Sequence, residues 1–140
     1  MSWSEDAAWR LLDIWMQMVK VAPKPQMNGI TRGENLTLLF LLSNEGINSK
    51  GISEFSGVST ARMAKILNKL EEKGFLRREE SKEDKRCVNV YITDKGREYI
   101  TAQIAESIEM QKHTLEAIGE KDTNEYIRIN QKILDITIDK

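Results

Sequence analysis

The sequence holds a single cysteine, Cys87, so no disulfide can close within the chain, and a reducing compartment, by default the cytoplasm, is expected. Its only two prolines, Pro23 and Pro25, both fall in the stretch VAPKPQMNG. That stretch is expected as a loop between two helical segments, because proline disfavours helix at itself and at the residue before it. Long apolar runs are missing too. The longest, residues 38–42, is far short of the roughly 20 residues a helix needs to cross a bilayer, so no membrane partner is expected. The N-terminal MSWSEDAAWR starts acidic and lacks the basic-then-apolar order of a signal peptide. The one histidine, His113, has no second His or Cys nearby, whereas a metal site needs several ligands; no cofactor is expected. No Ser-His-Asp set, phosphate-binding glycine loop or working carboxylate pair can be assembled, which argues against an enzyme.

Charge of either sign is not in excess, since the formal net charge is −1. Its distribution is uneven. Residues 59–97 hold eleven Lys/Arg against seven Asp/Glu, a net of +4, which leaves −5 for the remainder. A basic middle between acidic flanks suits a chain with one phosphate-facing surface. A salt-bridged surface explains the same numbers equally well.

The rest reads as one domain over 1–140. Ser4, as an N-cap with Glu5 and Asp6 in the first turn, opens a helix over 4–21. Trp9, Leu12, Met16 and Val19 form a stripe that Leu11, Ile14, Trp15 and Met18 widen, and a helix apolar on more than one side needs more than one neighbour. Thr31 and Glu34 have capping-box spacing for a second helix. In it Leu36 and residues 38–42 surround the axis, so it is expected to be central and buried, ending at Asn44-Glu45-Gly46. A polar link, 48–51, precedes a short helix over 52–56 that Gly57 breaks. Val58 is expected as a buried anchor and Ser59 as the N-cap of a stronger helix over 60–73. That helix turns Met63, Ile66, Leu67 and Leu70 inward and stops at Gly74. The period then changes from about 3.6 to 2. A strand starts at Phe75, a charged tip spans 81–85, and 87–92 returns with Val88, Val90 and Ile92 on one face, which is a β-hairpin. Helix resumes after Thr93, with Ile100, Ile104 and Ile108 on one face, and runs to near Gly119. A last helix, 122–138, carries two stripes, Tyr126, Ile129, Ile133, Ile136 and Ile127, Leu134, Ile138. Two stripes imply two partners, one of which is open to being another chain.

The fold class is therefore mainly α with a small β-hairpin wing (α+β), built on a winged helix-turn-helix. The turn Ser56-Gly57-Val58-Ser59 joins a short helix to a longer one with helix-turn-helix spacing, and the second helix of such a pair enters the major groove of DNA by its first turns. The exposed positions there are Ser59, Thr60, Arg62 and Lys65. Arginine can bridge guanine O6 and N7, and Ser or Thr serves bases or phosphates; Lys69, one turn on, meets backbone. At the hairpin tip, Lys82, Lys85 and Arg86 suit the negative potential of a narrow minor groove, and Asp84, two residues before Arg86, is placed to hold its guanidinium. A solvated helix face and a solvated loop are the plainer readings of each element alone. The direct succession of the two shifts the balance toward DNA.

These residues also carry a family likeness. The stretch ISEFSGVSTARMAKILNKLEEKGFLRREESKEDKRCVNVYITDKG resembles the winged helix-turn-helix of the MarR family of bacterial transcriptional regulators. Leu70-Glu71-Glu72-Lys73-Gly74-Phe75-Leu76, Asp84-Lys85-Arg86 (the family's D-x-R wing signature) and Ile92-Thr93-Asp94-Lys95-Gly96 keep the family's mutual spacings. The resemblance implies a DNA-binding part at 31–97, with recognition helix at about 59–73 and wing at about 77–91. It implies a homodimer joined by terminal helices at 4–21 and 98–138, acting as a transcriptional repressor on a pseudo-palindromic operator in double-stranded DNA. Many relatives bind a small aromatic or amphipathic effector; Trp9, Trp15 and Met16 are the candidate lining here, with core or dimer packing as the plainer role. A winged-helix protein–protein module without DNA binding is the alternative. The chain departs from the family at Ser53 and Ser56, where Ala and Leu are usual, which predicts a loosened short helix or a one-residue shift with Phe55 supplying the lost contact. It departs again at Ala64-Lys65, where Thr-Arg is frequent. Peroxide-sensing members use a cysteine near the N-terminus, and Cys87 is not in that place.

Overall fold

Ser2, not Ser4, opens the first helix, α1 (Trp3–Val21): its hydroxyl accepts the Glu5 N–H at 3.2 Å and its carbonyl accepts the Asp6 N–H at 3.0 Å. The capping chemistry is the expected one, but Ser2 is the serine that stands three residues before a free backbone donor. The computed structural model describes residues 2–21 and 33–139. Pro23, Pro25 and the expected cap Thr31 lie outside them. The elements that follow are α2 (Gly33–Leu41), β1 (Ile47–Asn48), α3 (Ser49–Ser56), α4 (Thr60–Glu72), β2 (Leu76–Glu80), β3 (Val88–Ile92), α5 (Asp94–Ile118) and α6 (Glu120–Ile138). The chain divides into two units, residues 1–100 and 101–140.

In the first unit the core is built from the inward faces of α2, α3, α4, β2, β3 and the start of α5, while α1 buries no residue. Leu38, Leu41, Ile52, Met63, Leu67, Leu70, Leu76, Val90 and Ile100 are all essentially inaccessible. The α2 helix is less engulfed than its composition suggests, since Leu36, Leu39, Phe40 and Leu42 remain half-buried. Between Leu41 and Gly46 it unwinds through tighter turns, with Ser43 and Asn44 N–H donating to the Phe40 and Leu41 carbonyls. Gly46 then closes the turn at φ 79°, a conformation that costs glycine nothing. Val58 is half-buried rather than fully so.

The link at 48–51 is not a link. Ile47 and Asn48 form a short edge strand paired with Val90 and Asn89, giving a three-stranded antiparallel sheet in the order β1-β3-β2. Asn48 also caps α3, its Oδ1 accepting the Gly51 N–H at 2.8 Å, so that helix starts at Ser49 instead of residue 52. The β2–β3 hairpin pairs Leu76 with Ile92 and Glu80 with Val88. Of its inner face Val90 and Ile92 are buried and Val88 half-buried.

Ser53 sits where the core expects a methyl group. It is 9% exposed, and its Oγ is enclosed without a hydrogen-bond partner among the described residues. The pairing does not shift by one: Ser53 keeps the inward position, while Phe55 stays 54% exposed and stacks on Phe40 at 3.9 Å between centroids. An unpartnered buried hydroxyl costs about 1–3 kcal/mol, and alanine is also the better helix former. Ser53→Ala is therefore expected to stabilise the protein by about 1 kcal/mol, seen as a higher urea midpoint at unchanged slope. A lower midpoint would show that the hydroxyl is satisfied.

The second unit contains the remainder of α5 and all of α6, with Gly119 (φ 92°) between them. Thr123 closes that corner, its hydroxyl lying 2.7 Å from the Gly119 carbonyl and 3.2 Å from that of Leu115. Both stripes of α6 are open: Tyr126, Ile127, Ile129, Ile133, Leu134, Ile136 and Ile138 are 42–69% exposed. Ile104 is half-buried and Ile108 is exposed. Among the described residues, no helix is long and apolar enough to cross a membrane.

Candidate nucleic-acid interface

The helix-turn-helix is set by four small residues. Ser53 offers its carbonyl to the Gly57 N–H at 3.0 Å, and Gly57 takes the left-handed conformation (φ 68°) that ends α3. Ser56 Oγ donates to the same carbonyl and accepts the Val58 N–H, each at 3.3 Å. Ser59 then caps α4, accepting the Arg62 N–H at 3.2 Å. Ser56 thus has a turn-closing role.

Met63, Ile66, Leu67 and Leu70 face inward, which leaves Ser59, Thr60, Arg62, Lys65 and Lys69 exposed on the same helix. The basic residues of the region fall into two groups that the sequence alone does not separate. Lys73 pairs with Glu34, Arg77 with Glu79, Arg78 with Glu71 and Arg97 with Glu45. Arg62, Lys65, Lys69, Lys82 and Lys85 make no ion pair among the described residues. The unpaired group contains five of the six cations the sequence nominates for DNA; the sixth, Arg86, pairs with Asp84, and Lys95, which is not among them, donates to the Lys73 carbonyl.

The wing tip is folded rather than loose. Ser81 N–H donates to the Cys87 carbonyl and Cys87 N–H to the Asp84 carbonyl, both at 2.9 Å, and Ser81 Oγ accepts the Asp84 N–H at 3.4 Å. Asp84 Oδ1 accepts the Arg86 backbone N–H at 3.0 Å and its Nε at 3.3 Å. The Arg86 N–H, then its guanidinium, hold the Asp84 carboxyl below the ordinary carboxylate range. The Arg86 side chain nevertheless stays 92% exposed, so its direction is biased while its charge remains available. Cys87 is half-buried with its thiol 3.8 Å from Asp84 Oδ2, at the base of the tip.

Two further arrangements carry no periodic signal in the sequence. Arg78, on β2, grips α4: Nη2 donates to Glu71 Oε1 at 2.9 Å and Asn68 Oδ1 at 2.6 Å, and Nε donates to Glu71 Oε2 at 3.3 Å. Thr93 fastens the end of α4 to the start of α5. Its N–H donates to the Phe75 carbonyl at 3.0 Å, and its Oγ1 donates to the Gly74 carbonyl at 2.6 Å while accepting the Gly96 N–H at 3.0 Å.

Trp9, Trp15 and Met16 are each more than half exposed on α1 and form an open face. His113 is exposed on α5. Among the described residues no group of three His, Cys, Asp or Glu is placed to hold a metal ion.

The profile of the MarR family matches residues 30–88. The chain is 25% identical over 118 residues to the HTH-type transcriptional regulator YfiV of Bacillus subtilis, covering 79% of this chain and 74% of that one. It is 26% identical over 109 residues to the transcriptional repressor MprA of Escherichia coli, covering 74% of this chain but only 62% of MprA. Streptococcus pneumoniae FabT, solved in complex with DNA, superposes with a TM-score of 0.71 at 17% identity over 97% of this chain and 98% of that one. The matched segment holds the helix-turn-helix and most of the wing, and the fold likeness runs the length of the chain: the winged helix of this protein is a MarR-family domain.

Proposed function

We propose that the chain is a homodimeric transcriptional repressor that binds a pseudo-palindromic operator in duplex DNA. The observation that carries this reading is the set of unpaired, exposed cations on the N-capped face of α4 and on the folded wing tip. In such a protein two recognition helices enter successive major grooves about 34–36 Å apart. The open apolar faces of α1 and α6 support dimerisation through the terminal helices, since apolar area of this extent is rarely left in water. A small aromatic or amphipathic effector, taken by Trp9, Trp15 and Met16, would act by its differential affinity for dimers whose helix spacing fits or misfits DNA.

The test is salt-dependent retention on random duplex DNA, with the mass of the free protein measured in parallel. Retention that falls as salt rises, from a particle of two chains, is the expected result. A protein–protein module would pass through unretained. Arg62 tests sequence reading. Its place in the first turn of α4 suits a base contact, so Arg62→Ala is expected to cost about 1–3 kcal/mol and to relax the preference among selected sites. Equal affinity and equal preference at fixed salt would remove Arg62 from that role.

A further inference from the structure

The wing meets its groove only if the hairpin leaves the domain at the right angle. Its outer strand β2 is an edge strand, hydrogen-bonded on one side to β3 alone. Leu76 anchors its start in the core. Arg78 is two residues on and so lies on the same face of the strand. Asn68 and Glu71 are three apart on α4 and so share a face of that helix. The Arg78 fork joins these two faces with three hydrogen bonds, two of them to one carboxylate. Its side chain is 28% exposed, against 92% for Arg86. The Nε and Nη2 hydrogens are consumed by the contact, which distinguishes Arg78 from the unpaired cations around it.

We propose that Arg78 is a positioning residue that sets the angle of the wing against the recognition helix, and that Glu71 strengthens DNA binding through it despite carrying the same sign of charge as DNA. The inference rests on the DNA-binding reading above. Its leverage is simple. Two residues of β2 and then the first residues of the tip turn, four or five in all, separate Arg78 from the end of the wing, at most about 15 Å at the usual strand rise. A rotation of about 10° at Arg78 would move the tip by roughly 2–3 Å, more than a hydrogen bond tolerates. The Arg78 hydrogen bonds hold the Glu71 carboxyl below the ordinary carboxylate range, so the pair stays ionised at neutral pH.

The experiment compares duplex affinity at fixed salt for the wild-type protein, Glu71→Gln and Arg78→Lys, each with and without Arg86→Ala, alongside thermal melting. Plain electrostatics predicts tighter binding for Glu71→Gln, because a negative charge has been removed from the DNA-facing side. Positioning predicts weaker binding, by about threefold or more, and a smaller penalty for Arg86→Ala in that background. Residues of one network show couplings of at least about twofold, although Glu71 and Arg86 share no bond. Arg78→Lys, which keeps the charge and loses the fork, is expected to act in the same direction. Melting should fall by only a few degrees, as for a partly exposed ion pair, so an unfolded variant does not account for the loss. Glu71→Gln binding as tightly as wild type or tighter, or an undiminished Arg86→Ala penalty, overturns the inference. A wild-type protein that ignores duplex DNA overturns the DNA-binding reading itself and the inference with it.

Discussion

Replacing Gly96 by alanine is expected to destabilise the protein by about 3 kcal/mol or more, although a glycine-to-alanine change inside a helix ordinarily stabilises by up to about 1 kcal/mol. The sign inverts because of where the new methyl would stand. A Cβ on Gly96 would lie 2.0 Å from the Phe75 carbonyl oxygen, 2.8 Å from its carbon and 3.0 Å from Ile92 Cγ1. The first two are backbone atoms and cannot swing aside as a side chain can. To clear the methyl, the Phe75 carbonyl must retreat by about 1 Å, which breaks the bond it accepts from the Thr93 N–H at 3.0 Å. Overpacking costs about 1–3 kcal/mol and a buried donor left unpaired a similar amount, together more than the gain in helix propensity. A melting temperature lower by roughly 10 °C is the expected readout. A variant that melts at or above the wild-type temperature would show that the loop after α4 is free to shift. The Thr93-to-Gly96 segment thus has a mechanical reason: threonine ties the end of α4 to α5, and glycine lets the two backbones touch.

Elements held together by near neighbours were legible in the sequence. Gly57, Ser59 and Gly74 act within a few residues of themselves, and the helix-turn-helix stands where their spacing predicts. The alternation Val88, Val90, Ile92 likewise announces β3. What escaped depends on partners far along the chain. A two-residue strand such as Ile47-Asn48 has no period to read, and it exists only because Val90 and Asn89 lie opposite. The Asn48 cap of α3 is an exception, a contact to Gly51 only three residues on that reads in the sequence as loop polarity. The burial of α2 was overstated because six apolar neighbours suggest a fully enclosed helix, whereas its Phe40 side is covered only in part, by Phe55. Within the candidate site, the types of residue and the Asp84–Arg86 contact were legible, but not the partners of the β2 arginines. Arg77 and Arg78 read as equivalents, yet Arg77 lies over the Tyr91 ring at 4.4 Å and pairs with Glu79, while Arg78 reaches back seven residues to Glu71.

That division between paired and unpaired cations makes the salt dependence of DNA binding the most sensitive measure of the proposed function. If Lys69, Lys82, Lys85 and Arg86 of each protomer meet phosphate, a dimer makes about eight such contacts. The logarithm of affinity is then expected to fall with the logarithm of salt at a slope of about −7. Between 50 and 200 mM salt the affinity would drop about 10⁴-fold, because each neutralised phosphate releases condensed counterions. The net charge of −1 does not oppose this, since at about 0.15 M salt charges more than roughly 8 Å from the contact are largely screened. Arg86→Ala removes one contact per protomer and should flatten the slope by about 2, weakening all duplexes alike. Arg62→Ala, by contrast, should alter the preference between sequences as well as the affinity. The two variants therefore separate the wing's part from the recognition helix's part. A slope near zero, or one that Arg86→Ala leaves unchanged, would remove the wing tip from the interface and turn the exposed cations into solvated surface.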